Sequence, residues 1–188
     1  KSLPMNYFFT SDTHFGHHNI IKYSKRPFKN VDEMDEALIA NWNAKVTKND
    51  IVFHLGDFSF APAENYVPRL NGTIHLIRGN HDRPADSLQH AHRSTNKQPF
   101  ISIDDVRQIV VKDQRIWLSH YAHRVWPSSH HGCWHLYGHS HGSLPDDRNS
   151  LSFDCGVDCH NYTPLSFEEV QQIMSKKTFK PIDHHGRA

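Results

Sequence analysis

The distribution of apolar and polar residues predicts a mixed α/β sandwich. Three observations carry that reading. Short apolar runs of strand length recur along the chain: "MNYFFTSD" at 5–12, "DIVFHL" at 50–55 and "TIHLIR" at 73–78. Strand and helix alternate early, and strand-rich hairpins follow. These runs also stop on carboxylates, imidazoles or amides, and open α/β sheets collect ligands beyond the carboxyl ends of their strands.

Taken in order, the first strand closes on Asp12 and leads into "SDTHFGHHN". A helix is predicted from about Asn30, which can cap it, with Asp32 and Glu33 in its first turn. Met34, Leu38, Trp42 and Val46 recur every four residues and mark its buried face. The second strand ends on Gly56 and Asp57. "PAENYVPRL" reads as a short helix whose end Pro68 interrupts, and Asn71-Gly72 as a turn. The third strand ends on "GNHD". Residues 84–99 are polar and carry no clear period. "FISIDDVRQIVVKDQRIWLSH" predicts strands with a turn at Lys112-Asp113-Gln114 and an end at His120. "CWHLYGHSH" and "LSFDCGVD" give two more strands. Ser166 and Glu169 form a capping box for a last helix lined by Val170, Ile173 and Met174.

The chain of 188 residues suits a single domain spanning 1–188, with 1–4 and 182–188 read as tails. That length buries a core without disulfides. A net charge of +1 advertises no global field for nucleic acid. Cys133, Cys155 and Cys159 are too few for a disulfide framework and read as reduced thiols rather than a zinc knuckle. A reducing, cytoplasmic location is expected. No apolar run approaches a membrane span. The anomaly is 18 histidines, since imidazole is the commonest metal-ligating side chain.

Five strand ends carry metal-capable groups: Asp12-x-His14, Gly56-Asp57, Gly79-Asn80-His81-Asp82, His120, and Gly138-His139-Ser140-His141. One alone would signify little, because a histidine after a strand is usually a hydrogen-bonded structural residue. Five in series, each after an apolar run, point to a metal site. The set resembles the pattern of the calcineurin-like metallophosphoesterase superfamily, and "FDCGVDCHNYTPLSFEEV" is similar to the ending of its small single-domain branch. The resemblance implies two mixed β-sheets packed face to face with helices outside, a four-layer αββα arrangement. It implies two divalent transition-metal ions (Mn, Fe, Zn, Co or Ni) and hydrolysis of phosphate esters. Asp12, His14, Asp57 and His141 would hold one ion; Asp57, Asn80, His120 and His139 the other, with Asp57 bridging. His81 would protonate the leaving oxygen or stabilise the transition state, and Asp82 would orient His81.

The chemistry is coherent apart from the family. Two divalent ions about 3.5–4 Å apart can clamp phosphoryl oxygens and activate a hydroxide for in-line attack. Mixed imidazole and carboxylate donors suit transition metals better than Ca or Mg. Around this set, His17, His18, Arg26 and Arg83 are candidates to touch substrate phosphate, each also readable as a surface residue. His160, Asn161 and Tyr162 could line the cleft in the same way. His54 reads as core or support, not ligand. Asp154 and Asp158 read equally as turn caps or as supports for ligands. "WPSSHHGCWH", with His130, His131 and His135, reads as a loop over the site. The expected substrates are phosphorylated small molecules, nucleotides or nucleic-acid ends, as monoesters or diesters. A nuclease is the nearest alternative. A non-catalytic metal scaffold is the distant one, because the bridging Asp57 and His81 are both present.

Overall fold

The computed structural model describes residues 5–82 and 99–183. Two mixed sheets with flanking helices make up the fold. The first sheet has the order β4-β3-β2-β1-β9, formed by Ser102–Asp104, Thr73–Ile77, Ile51–His54, Tyr7–Thr10 and Leu165–Ser166. β1 to β4 run parallel, and β9 runs antiparallel to β1. The second sheet has the order β5-β6-β7-β8, formed by Val106–Val111, Gln114–Ser119, Trp134–Tyr137 and Ser152–Asp154. Only its β5/β6 pair is antiparallel.

Successive strand residues face opposite sides, so one strand feeds two cores. Phe8, Val52, Ile74 and Leu76 pack with Met34, Leu38, Trp42 and Val46 beneath helix α2, Val31–Lys45. Their neighbours Phe9, Phe53 and Ile77 pack with Ile109, Ile116, Leu118 and Leu136 of the second sheet. Helix α3, Phe167–Ser175, adds Phe167, Val170 and Met174 to this second core.

The helix signals have local causes. The Asn30 side chain accepts the Glu33 N–H, and Ser166 with Glu169 closes a complete capping box. Lys112 and Asp113, both at positive φ, form the two-residue turn that joins β5 to β6. Two expectations need correction, and one element goes unforeseen. "PAENYVPRL" forms two 3-10 turns, Ala63–Asn65 and Val67–Arg69, because Pro68 has no N–H to continue a helix. A one-turn helix α1, Ile20–Tyr23, is too short to leave a period in the sequence. The segment around His123 and Trp126 packs against the second sheet rather than over the strand ends, where Tyr121 stays, its ring 4.7 Å from that of His139. The Trp126 and His123 rings lie against His135, which is itself a buried β7 residue. No helix among the described residues is long and apolar enough to cross a membrane.

Candidate metal centre

Because β1, β2 and β3 are parallel, residues 11–14, 55–57 and 78–82 leave the first sheet at one end. Backbone bonds tie these loops together: the Asp12 N–H donates to the Gly56 carbonyl and the His14 N–H to the Asp57 carbonyl. The Gly138 N–H donates to the His120 carbonyl, joining the loops after β6 and β7. Asp12, His14, Asp57, His139 and His141 all sit at positive φ, between 47° and 66°. Such backbone costs on the order of 1–3 kcal/mol per residue and persists where surrounding structure overrides it, typically at functional sites. Two glycines let the loops close on the carboxylates. A Cβ on Gly138 would lie 2.3 Å from Asp12 Oδ2, and one on Gly79 would lie 2.3 Å from Asp57 Oδ1.

The side chains converge in two adjacent groups, Asp12 with His14 and His141, and Asp57 with His120 and His139. Asp57 Oδ2 lies 3.5 Å from His14 Nε2 and 3.5 Å from His120 Nε2, so it stands between the groups. Asn80 Oδ1 completes the second group, 3.1 Å from His120 Nε2 and 3.0 Å from His139 Nδ1. Asp12 Oδ1 and His14 Nε2 are buried without a hydrogen-bonding partner among the described residues. Buried polar atoms left so are costly and call for an explanation. Both face the space that a cation would fill, and the donor set of imidazoles, carboxylates and one amide fits a transition metal.

An outer layer aims these side chains. Leu55 O lies 2.7 Å from His120 Nδ1 and Asp158 Oδ2 lies 2.7 Å from His141 Nδ1, which leaves each Nε2 turned to the cluster. Asp158 in turn receives two hydrogen bonds from Arg26, at 2.9 Å each. Arg26 corrects the sequence reading. Its buried guanidinium holds the Asp12 and Thr13 carbonyls and Asp158 from beneath, so it does not reach the cleft. Asp82 does not orient His81 either. Its carboxylate accepts the N–H groups of Asp57, Phe58 and Gly79, pinning the Asp57 loop. Asp154 caps the turn at Gly156 and also accepts the Gly142 N–H. His54 is buried against the Thr13 hydroxyl, a supporting position as expected. His160 Nε2 donates to the Asp154 carbonyl within the turn, 2.8 Å away, rather than facing the cluster. Arg83 lies outside the described residues.

Charge in the bare site follows from burial and from the crowded carboxylates. Burial pushes His14 down to about 2, so its ring is neutral with a lone pair to offer. Burial pushes the Asp12 carboxyl up to about 7, against the lowering pull of His120 and His141. Burial also opposes charge on His120, but Asp57 and Asp12 outweigh it and raise that ring to about 9. For Asp57 burial is overcome by His120 and the His81 N–H, which hold the carboxyl well below the usual range. Asp57 is therefore anionic, and positive charge is drawn to its flank.

A cavity of about 640 Å³ opens over Asp57, His81, His139 and His141, walled by Tyr23, Ser24 and Lys25 on one side and Ser140 to Ser143 on the other. The exposed His81 projects here, its ring centroid 5.7 Å from that of His14. Of the neighbouring pair, His17 touches a proposed ligand, His14, at 3.0 Å, while His18 is exposed. The sequence reading missed Tyr23, Lys25 and Phe60. Lys25 and Arg26 are adjacent basic residues, and only the left-handed turn at Lys25 decides which faces the cavity.

The chain is similar to known proteins. The family model for the calcineurin-like phosphoesterase superfamily domain matches residues 5–154. An uncharacterized protein of Methanocaldococcus jannaschii is 33% identical over 176 residues, covering 88% of this chain and 89% of that one. The gene 66 protein of Mycobacterium phage L5 is 34% identical over 94 residues, 47% of this chain and 45% of that one. A crystal structure of a protein of unknown function from Aquifex aeolicus superposes with a TM-score of 0.68 at 25% identity, covering 90% of this chain and all (100%) of that one.

Proposed function

The chain belongs to the calcineurin-like phosphoesterase superfamily and is a hydrolase of phosphoric ester bonds, and we propose that it works through a dinuclear centre. The family is metal-dependent, and two His/Asp clusters could hold ions. In this reading Asp12, His14 and His141 hold one divalent ion and Asn80, His120 and His139 the other, with Asp57 shared. One observation carries it: Asp57 Oδ2 is equidistant, at 3.5 Å, from a histidine of each cluster. Bound there, the ions would offset the phosphoryl charge and make water acidic enough to act as a nucleophile near neutral pH.

The chain's own groups supply the rest. The buried carboxylates and imidazoles fix where phosphate can sit, and Lys25 adds a cation at the cavity wall. As water oxygen bonds to phosphorus, the ester oxygen leaves with its electron pair. His81 would give that oxygen a proton; its backbone N–H donates to Asp57 Oδ1 at 2.8 Å, which supports this by keeping the residue beside the cluster. Monoesters and diesters both fit an open cleft of this size.

Elemental analysis after reconstitution with manganese is expected to give two ions per chain. Aryl mono- or diester turnover should appear with manganese and vanish with chelator. Asp57→Asn should lower turnover about a hundredfold or more. His81→Ala should keep its metal and lose most on esters with poor leaving groups; an equal loss on all esters would remove the acid role. Two bound ions with no turnover on any ester would favour a non-catalytic scaffold.

A further inference from the structure

We infer that one wall of the cleft is a stacking rail for a planar aromatic group on the ester, so that substrates bearing an aryl group or a nucleobase are preferred. The inference rests on the phosphoesterase reading and deepens it.

Phe60 is 42% exposed although it is a large apolar ring, and it packs against the site rather than into either core. Its centroid lies 3.6 Å from His17, nearly parallel at 15°, and 4.9 Å from His81. It is also stacked on His14 at 5.9 Å. Tyr23 is 70% exposed, lines the same cavity as Asp57 and His81, and meets His17 edge-on at 6.4 Å. Tyr23, His17 and Phe60 thus form a continuous aromatic strip that ends on His81, the proposed proton donor.

The strip is held in advance. The Phe60 N–H donates to the Phe15 carbonyl and the Tyr23 N–H to the Asn19 carbonyl. His17 is fixed through His14 Nδ1 at 3.0 Å. Exposed rings fixed beside polar groups in a cleft are the usual composition of a ligand site. Stacking rewards any flat π-face without reading its edge, whereas a saturated ring or alkyl chain gains only apolar contact.

The test compares esters whose leaving groups have alike basicity, so that stacking is separated from chemistry. Benzyl and cyclohexylmethyl phosphates, and their methyl diesters, meet this need. With the manganese-loaded enzyme, kcat/KM should favour benzyl on the order of tenfold. That ratio should fall toward unity in Tyr23→Ala and in Phe60→Leu, which keeps apolar bulk against His14. Metal content should not change in either. A ratio near unity in the wild type, or one that both variants leave unaltered, overturns the inference. Binding supplies a second readout. With the zinc-loaded protein, saturation-transfer NMR should label the ring protons of benzylphosphonate, and each variant should weaken this. If no ester is cleaved, the hydrolytic reading fails, and the NMR result alone decides the rail: ring labelling lost in the variants supports it, and absence of labelling overturns it.

Discussion

At the scale of single residues, the consequential groups are those that hold ligands. Asp158 is the clearest. It accepts from His141 Nδ1 and from a buried arginine 132 positions earlier in the chain. The His141 hydrogen bond and the Arg26 charge overcome its burial and keep the carboxyl below its usual range. Asp158→Asn keeps the shape but removes the charge that fixes the His141 tautomer. Loss of such a support typically costs ten- to a hundredfold in metal affinity. Chelator competition should show that loss for one ion of the two, with the other nearly unaltered. Asp50 gives a test away from the metal. It accepts the Asn6 and Thr47 N–H groups, and these outweigh its burial and depress its pKa. A depressed carboxyl stabilises the fold above its unfolded pKa and loses that contribution as pH falls through the folded value. Asp50→Asn should therefore cost about 1–3 kcal/mol at pH 7 by urea titration, and the gap should shrink toward pH 3.

At the scale of elements, the loops after β1, β2, β3, β6 and β7 act as one unit because their glycines let backbone and carboxylate touch. Gly138→Ala would place a methyl group 2.1 Å from Ser11 Oγ and 2.3 Å from Asp12 Oδ2. The β7 strand behind it is fully buried and cannot retreat. Displacing Asp12 should remove an ion from the first cluster, so elemental analysis should read near one ion per chain while circular dichroism stays close to wild type. These strand ends were legible in the sequence for the same reason. Chemistry demands Asp, Asn and His there, and the preceding apolar runs announce where each strand stops. What the sequence hid was direction. Nothing in "KYSKRP" says that Lys25 faces the cavity and Arg26 the interior, and Asp82 beside His81 looks like its partner until Asp82 is seen spent on three backbone N–H groups. Adjacency to His81 suggested the role of Asp82 and guanidinium chemistry that of Arg26, and position in space reassigned both.

At the scale of the whole molecule, folding and ion capture are one equilibrium. The proposed ligands come from five loops between residues 12 and 141, so no short segment of the unfolded chain can assemble them. The folded chain without ions carries a crowded cost: buried Asp12 Oδ1 and His14 Nε2 lack partners among the described residues, and several loop residues hold left-handed backbone. An ion that binds only the native state stabilises it by RT ln(1 + [L]/Kd), about 2.7 kcal/mol at a hundred times Kd. The melting temperature should therefore rise with manganese or zinc concentration and fall when chelator is added. The gain should be smaller in Asp57→Asn, which weakens both clusters, than in His139→Ala, which touches only the second. A chain whose melting is indifferent to either metal across that range would separate the two clusters from ion binding and leave their strain without a purpose.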